Sequence, residues 1–302
     1  AEELKRLKAI SYEDEVPKVL SYWRGRMADG MQIDVPDAPL NYFYAANLWH
    51  NLITTDRDPR TGLYNQFVGT WGYKVFANET VMIARSMDMR GEHEEAERFL
   101  EPMLHFQGSE PLTGNFSTKD GVFHGAGEYT HGKYAMNHGF VLWGIADHYL
   151  FTRDRAYLER VAPQLIKGCD FLIAERRATM NTRGPEGSMI QGLAPACALE
   201  DITEFKYWFA TNSYYYLGMK RVAQALADIG HAEAERIANE AEKFRLDIEK
   251  TLREATTRAM VVPLRDGSYI PLVVPHAFEW QHYTGGWVRE ALYCSLHAAM
   301  GE

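Results

Sequence analysis

Apolar residues recurring three and four positions apart predict three helices with one buried and one wetted face. Ala96, Phe99, Leu100, Met103 and Leu104 form one stripe, with Glu92, Glu94, Glu95, Glu97 and Arg98 on the other side. A second runs through Leu158, Val161, Ala162, Leu165, Ile166, Cys169, Leu172 and Ile173, and a third through Ala234, Ile237, Ala238, Ala241, Phe244 and Ile248. Each is preceded by a segment that is apolar or aromatic nearly all round, over residues 75–89, 134–150 and 205–229. A helix without a polar face is buried on every side. The pattern therefore predicts an inner layer of buried helices wrapped by an outer layer of amphipathic ones. Residues 287–300 read as a fourth inner helix, residues 40–53 as the first helix of the barrel, and residues 13–27 as an extra helix leading in.

The connections alternate as regularly as the helices. Inner-to-outer links are short, at Arg90-Gly91-Glu92, Thr152-Arg153-Asp154 and Ile229-Gly230-His231, with Gly91 and Gly230 where a helix C-cap favours a left-handed residue. The echo of Ala96-Glu97-Arg98 in Ala234-Glu235-Arg236 suggests a repeated hairpin. Outer-to-inner links are long, over residues 54–74, 108–131, 178–204 and 255–284, beyond the length at which structureless loops become uncommon without a function. Short turns make neighbouring helices antiparallel, so every long link must emerge at the same end, and that end is the predicted site. Asp266-Gly267, between Val261–Leu264 and Tyr269–Leu272, predicts a small hairpin in the last loop.

Composition narrows the partners. A net charge of −9 over 302 residues disfavours nucleic acid and anionic membrane, both of which need a basic face, and suits a neutral substrate better. No run of about 18 apolar residues predicts a membrane span. Cys169, Cys197 and Cys294 are too few and too scattered for a disulfide framework and are expected to be free thiols. No metal-ligand spacing occurs, and neither a metal nor another cofactor is expected. The sequence does not reveal a compartment. Asn78-Glu79-Thr80 and Asn115-Phe116-Ser117 match the glycosylation sequon, a tripeptide that also arises by chance.

Sugar sites need aromatic faces for the apolar side of a pyranose, amides and carboxylates for its hydroxyls, and carboxyl groups for acid–base work. The first loop offers Trp71 and Tyr73, and Glu79 at the start of its inner helix, where a helix-dipole role is the alternative. Asp56 and Asp58 beside Pro59 and Gly62 read as a solvated turn rather than a calcium loop. The second loop offers His124, Glu128, Tyr129 and His131, followed by Asn137 and His138 on the next inner helix; each alone could be a satisfied structural group. The third brings Glu200, Asp201 and Glu204 to an inner helix among aromatics that include Trp208. Such surroundings raise a carboxyl pKa toward the range of a general acid. Helix capping by Asp201, Thr203 or Glu204 is the alternative. Trp280 is the aromatic candidate in the fourth loop.

With these residues in place, the chain resembles the six-hairpin glycosidases, which include glucoamylases, trehalases and α-L-rhamnosidases. Glucoamylase-like members carry an aromatic, acidic segment at the start of an inner helix, then a Gly and a Glu-Ala pair. The stretch from Trp71 to Glu79 with Gly91 and Glu95-Ala96 is similar, although Asn78-Glu79 stands where Arg-Asp is usual. The resemblance implies a sugar contact for Glu79. Members also place the general acid in a Leu-Trp-Glu-Glu segment followed by aromatic-Thr; Leu199-Glu200-Asp201 with Phe209-Ala210-Thr211 is similar, lacking the aromatic before the acid. This implies Glu200 as proton donor and Asp201 as substrate contact, with a register shift transferring the role to Asp201 or Glu204.

The implied fold is all-α, an (α/α)6 toroid with long loops at one end, incomplete here at about eight of twelve helices. Residues 1–38 are then a lead-in helix and linker, residues 39–302 are the partial toroid, and further parts of a longer chain are expected. The implied activity is hydrolysis of an oligo- or polysaccharide glycosidic bond with inversion. The base would come from sequence not reached here, or from Glu128 or Glu279 in its place. Tyr134-Ala135-Met136-Asn137-His138-Gly139 also resembles the Asn-His segment of toroidal polysaccharide lyases, an alternative reading. A non-catalytic helical carbohydrate-binding scaffold is the third.

Overall fold

The computed structural model describes residues 2–69, 72–199, 202–272 and 274–277. Its helices are α1 (Glu2–Lys8), α2 (Tyr12–Ala28), α3 (Ala38–Ile53), α4 (Ala77–Arg90), α5 (His93–His105), α6 (Asn137–Thr152), α7 (Arg155–Thr179), α8 (Phe209–Asp228) and α9 (Ala234–Arg258). Helices α4, α6 and α8 stand side by side, α4 on α6 and α6 on α8. Helix α5 covers the seam between α4 and α6, α7 the seam between α6 and α8, and α9 lies on α8 beside α7. Two concentric rows of this kind are an arc of an all-α toroid, as the alternation of apolar and amphipathic segments predicts.

Helix α6 explains why the inner row must be apolar. Every residue from Asn137 to Tyr149 is buried, because each direction around the helix meets another element. Gly144 faces Val81 of α4, and Gly139 lies against the backbone of Tyr214 on α8. His138 reaches Gly168 of the outer helix α7. At 100° per residue, Met136, Phe140, Trp143 and Asp147 fall opposite that outer face and line the inside of the arc. There Asp147 accepts from Arg85 of α4 at 2.8 Å and from Trp143 Nε1 at 2.8 Å, and pairs with Arg221 of α8 at 3.4 Å. One carboxylate ties three inner helices.

The short turns close as expected. Gly91 (φ 84°) and Gly230 (φ 71°) are left-handed, and Arg153 (φ 58°) adopts the same conformation. Its strain is offset by an ion pair to Asp228 at 2.8 Å. Asp154 caps α7 by accepting from the amides of Ala156 and Tyr157. The leading helices α2 and α3 bury almost nothing, Leu48 alone between them. They are held by Arg26 on Glu92 and by Arg90, which stacks on Tyr44 and donates to its carbonyl.

Two expectations need correction. Helix α4 is not apolar all round: it buries Asn78, Thr80, Asp88 and Arg90 and exposes Met82 and Met89. Asp88 is partnered by His93 and His148, Thr80 by Gln66 O and Arg90 by Tyr44 O, which is why polarity and burial part company there, while Asn78 Oδ1 is buried without a partner among the described residues. The inner helices also start two to four residues later than the pattern places them, at Ala77, Asn137 and Phe209 rather than at residues 75, 134 and 205. Val75 and residues 205–206 are used in extended pairing, whereas residues 134–136 form the turn that leads into α6. The predicted hairpin forms as β5 (Val261–Pro263) with β6 (Tyr269–Pro271), Gly267 (φ 82°) at its tip. Two hairpins not foreseen join it: β1 (Thr55–Arg57) with β2 (Tyr64–Gln66), and β3 (Cys197–Leu199) with β4 (Ile202–Lys206).

Candidate active site

The long links between helices, residues 54–76, 106–136, 180–208 and the chain after Arg258, are laced together in order. The amide of Val75 donates to Tyr129 O at 2.9 Å and that of His131 to Val75 O at 2.8 Å, joining the first to the second. Asn115 N to Ala196 O (2.9 Å) and Ala198 N to Thr113 O (3.0 Å) join the second to the third. Phe209 N to Pro275 O and Ala277 N to Tyr207 O, each 3.1 Å, join the third to the fourth. Backbone pairing of this length requires all four links at one end of the arc. These bonds pair backbone groups of the described parts of neighbouring links with one another.

At the first joint the aromatic side chains converge. The Phe76 ring lies 5.0 Å from His131, 5.7 Å from Tyr73 and 5.9 Å from Tyr134, and Tyr73 lies 5.5 Å from His131. Tyr73 and His131 are exposed while Phe76 is buried beneath them, giving a wall with a wet apolar surface. Glu79 sits in the first turn of α4, one turn beyond Phe76. It is half-buried, and burial alone pushes its carboxyl above the usual range. Among the described residues no donor or cation pairs with it, although the helix terminus favours its charge. An unpaired carboxyl beside an open aromatic wall is a poor structural device and a good hydroxyl-binding or proton-handling one.

The other candidates divide differently. Glu200 and Asp201, the expected acid and contact, and Trp71, Trp280 and Glu279 lie outside the described residues, as does Cys294. Glu204 is exposed on β4 and pairs with Lys206 at 3.2 Å, and the cap residue of α8 is Trp208, so neither Thr203 nor Glu204 caps that helix. Glu128 is exposed and ion-paired with Arg60. As a substitute base, it would have to act from a carboxylate already engaged by that guanidinium. Tyr129 packs on Phe67 at 6.1 Å under Lys74, fixing loop to loop. Asp58 is itself buried, accepting from Arg60 N and the Thr61 hydroxyl, as a turn residue should.

Trp208 is wholly buried and donates to Cys197 O at 2.9 Å, so it presents no face to a ligand. His124 is buried, with Glu110 at 3.9 Å, and burial lowers its pKa, keeping it neutral. Asn137 spends its amide on the carbonyls of His124 and Gly132. His138 accepts from Phe123 N at 2.9 Å through Nδ1 and donates to Gly168 O at 3.0 Å through Nε2. Full burial lowers its pKa to about 4. A lyase needs its Asn and His free to meet a uronate, and these two are consumed in anchoring the second loop to α6 and α7. Phe76 and Tyr134 were missed by sequence reasoning, because nothing in their spacing distinguishes a wall residue from core. No group of three or more potential metal ligands occurs among the described residues, and no helix among them is long and apolar enough to cross a membrane.

Comparison with known proteins bears on this geometry at the level of the fold. No protein-family model matches the chain, and no curated protein matches it in sequence. Among solved structures, it is similar to a metal-independent α-mannosidase of Streptococcus pneumoniae, captured in a non-productive complex with α-1,6-mannobiose. The identity is 10%, the TM-score 0.55, and the match covers 89% of this chain and 68% of that one. A glycosidase in wild-type form and a point variant of it are weaker matches, with TM-scores of 0.45 and 0.49 at 13% identity, covering 70% of this chain and 58% of theirs. The class this defines is a helical toroid whose structural neighbour is a glycosidase.

Proposed function

We propose that the chain forms the sugar-binding end of a glycoside hydrolase, cleaving a glycosidic bond of an oligo- or polysaccharide by carboxyl acid–base catalysis. One observation carries the reading: the four long links are laced together at one end, and there an exposed aromatic wall lies one turn of α4 from Glu79, whose half-buried carboxyl is unpaired among the described residues. That is the pairing of apolar face and carboxyl a pyranose requires. A shared fold alone is weak support, since folds host many activities; that the mannosidase neighbour is a glycosidase adds to the site rather than replacing it.

In this reading Glu200 is the proton donor and Asp201 a substrate contact, roles that rest on the resemblance of their segment. The reaction inverts the anomeric centre, a second carboxylate of the mouth activates the water, and Tyr73 and His131 receive the sugar's apolar face. The test is release of sugar from a panel of aryl and natural glycosides by the wild-type chain and by Glu200→Gln and Asp201→Asn. Removing a general acid should lower kcat by about 10²- to 10⁴-fold with the helical circular dichroism unchanged. A folded wild-type chain that hydrolyses nothing in the panel would refute the proposal. An unsaturated, ultraviolet-absorbing product would replace it with elimination.

A further inference from the structure

The charges of the mouth are distributed unevenly. Residues 54–76 and 106–136 contain the lysines and arginines Arg57, Arg60, Lys74, Lys119 and Lys133. Each is already engaged within the protein. Arg57 donates to Gly62 O at 3.3 Å, Arg60 pairs with Glu128, and Lys74 donates to Glu128 O at 3.2 Å. Lys119 donates to Ser109 O at 2.9 Å, and Lys133 pairs with Glu110 at 3.1 Å. Lys206, at the third link, pairs with Glu204 at 3.2 Å. The buried His124 and His138 are neutral. Glu79, by contrast, keeps its carboxylate unpaired among the described residues.

We infer that the mouth accepts uncharged or amino-bearing sugars and rejects uronic acids and sulfated sugars, and that Glu79 sets this selectivity. The inference deepens the reading of the mouth as a sugar site and rests on it. An anionic sugar reaching the aromatic wall gives up hydration and finds the lysines and arginines of the first two links, and Lys206, already engaged, so recruiting one of these means breaking an ion pair or a carbonyl contact. It also meets Glu79, a like charge in a half-buried setting where screening is weaker than in bulk water. A neutral sugar incurs neither penalty, and its hydroxyls can donate to Glu79. An ammonium gains an ion pair.

The experiment measures binding on an array of matched oligosaccharides of glucose, galactose, mannose and xylose in neutral, 2-amino, 6-sulfated and uronic forms where each exists. For the wild-type chain at low salt, at least one neutral or amino member should bind, and its anionic counterpart should bind at least tenfold more weakly, about 1.4 kcal/mol. In Glu79→Gln that ratio should fall toward one, whatever happens to the neutral affinity. Should that variant not fold, the wild-type ratio read between low and high salt serves instead, shrinking as ionic strength rises. Anionic members binding as well as neutral ones, no neutral or amino member binding, or a ratio indifferent to both Glu79→Gln and salt would overturn the inference. Turnover is scored separately. Selective binding without hydrolysis removes the hydrolase reading and leaves the selectivity, whereas hydrolysis of uronides does the reverse.

Discussion

Replacing Gly139 by alanine is a test in which the two competing effects have opposite signs. In a helix interior, glycine to alanine is intrinsically favourable by about 1 kcal/mol. If residues 137–152 were a solvent-facing or loosely packed helix, Gly139→Ala would therefore stabilise the protein. In the inner row it should not. A Cβ on Gly139 falls 2.6 Å from both the carbonyl carbon and oxygen of Tyr214 and 2.8 Å from Tyr215 N, and a Cβ on Gly218 falls 2.8 Å from Gly139 O. These are backbone atoms, so α6 and α8 must separate rather than a side chain rotate. Because backbone rather than a side chain must shift, the overpacking cost lies in the upper part of the roughly 1–3 kcal/mol range, at about 2–3 kcal/mol, leaving a net loss of about 1–2 kcal/mol after the intrinsic gain of about 1 kcal/mol is subtracted. In a chain of this size that is a fall in Tm of about 2–8 °C. Gly144→Ala provides the milder comparison, since its Cβ meets the Val81 methyl groups at 2.7 and 2.9 Å. Gly25→Ala, with nothing within 4 Å, should not lower stability at all. The assay is urea or thermal unfolding followed by circular dichroism and tryptophan fluorescence. Equal or higher stability of Gly139→Ala would refute the close seam between α6 and α8, and with it the inner row.

His138, neutral in the folded state down to about pH 4 and ordinary when unfolded, makes the unfolded chain the better proton binder between the two values. Stability should therefore fall as pH drops from about 6.5 toward 4, by up to about 3 kcal/mol from this group; an imidazole NMR titration placing His138 near 6.5 would contradict this. The thiols of Cys169 and Cys197 are buried and pushed up by burial, the second to about 12. Peptide-resolved mass spectrometry should find both unalkylated by iodoacetamide in the native protein and labelled in urea, and native labelling at either site would count against the packing of α7 or β3. Arg176→Ala removes donors to Gly192 O and Asp247, each at 2.7 Å, and a guanidinium 4.1 Å from the Phe244 ring centre. Because Asp247 remains partly exposed, the loss should sit at roughly 2–4 kcal/mol, below or at the lower end of the range for breaking a fully buried pair, measurable by urea unfolding.

The layered fold was legible because burial leaves a periodic trace. Helices α5, α7 and α9 touch the core with one face, so their apolar residues recur every three or four positions, while α6 and the first half of α8 are enclosed and lose the periodicity. The same logic misjudged α4. Asp88 is almost fully buried, yet it is polar because His93 and His148 from α5 and α6 converge on it at 2.8 and 2.9 Å. Such pairings join residues up to 60 apart in sequence, and no local pattern records them. Helix starts were misplaced for a related reason. Val75 is apolar and suits a helix, but its amide and carbonyl are taken by residues 129–131, a long-range pairing that outweighs local preference.

The candidate site was half legible, and the division has a physical cause. The polar residues at the starts of inner helices have two possible employers, the ligand and the backbone of the long loops, and sequence alone does not say which prevails. An irregular loop packed against a buried helix carries amides and carbonyls that water cannot reach, and each must be paired. Asn137 and His138 meet that demand for residues 123, 124, 132 and 168, and Trp208 meets it for Cys197. They are polar and near the mouth for the same reason that a catalytic residue would be, and they are unavailable to a substrate. What distinguishes Glu79 is the lack of such employment: it is half-buried, its carboxyl pKa is raised by burial, and no contact among the described residues offsets the cost. A group of that kind at the start of a helix, one turn along α4 from Phe76 of the aromatic wall, is the position on which the proposed sugar contact rests.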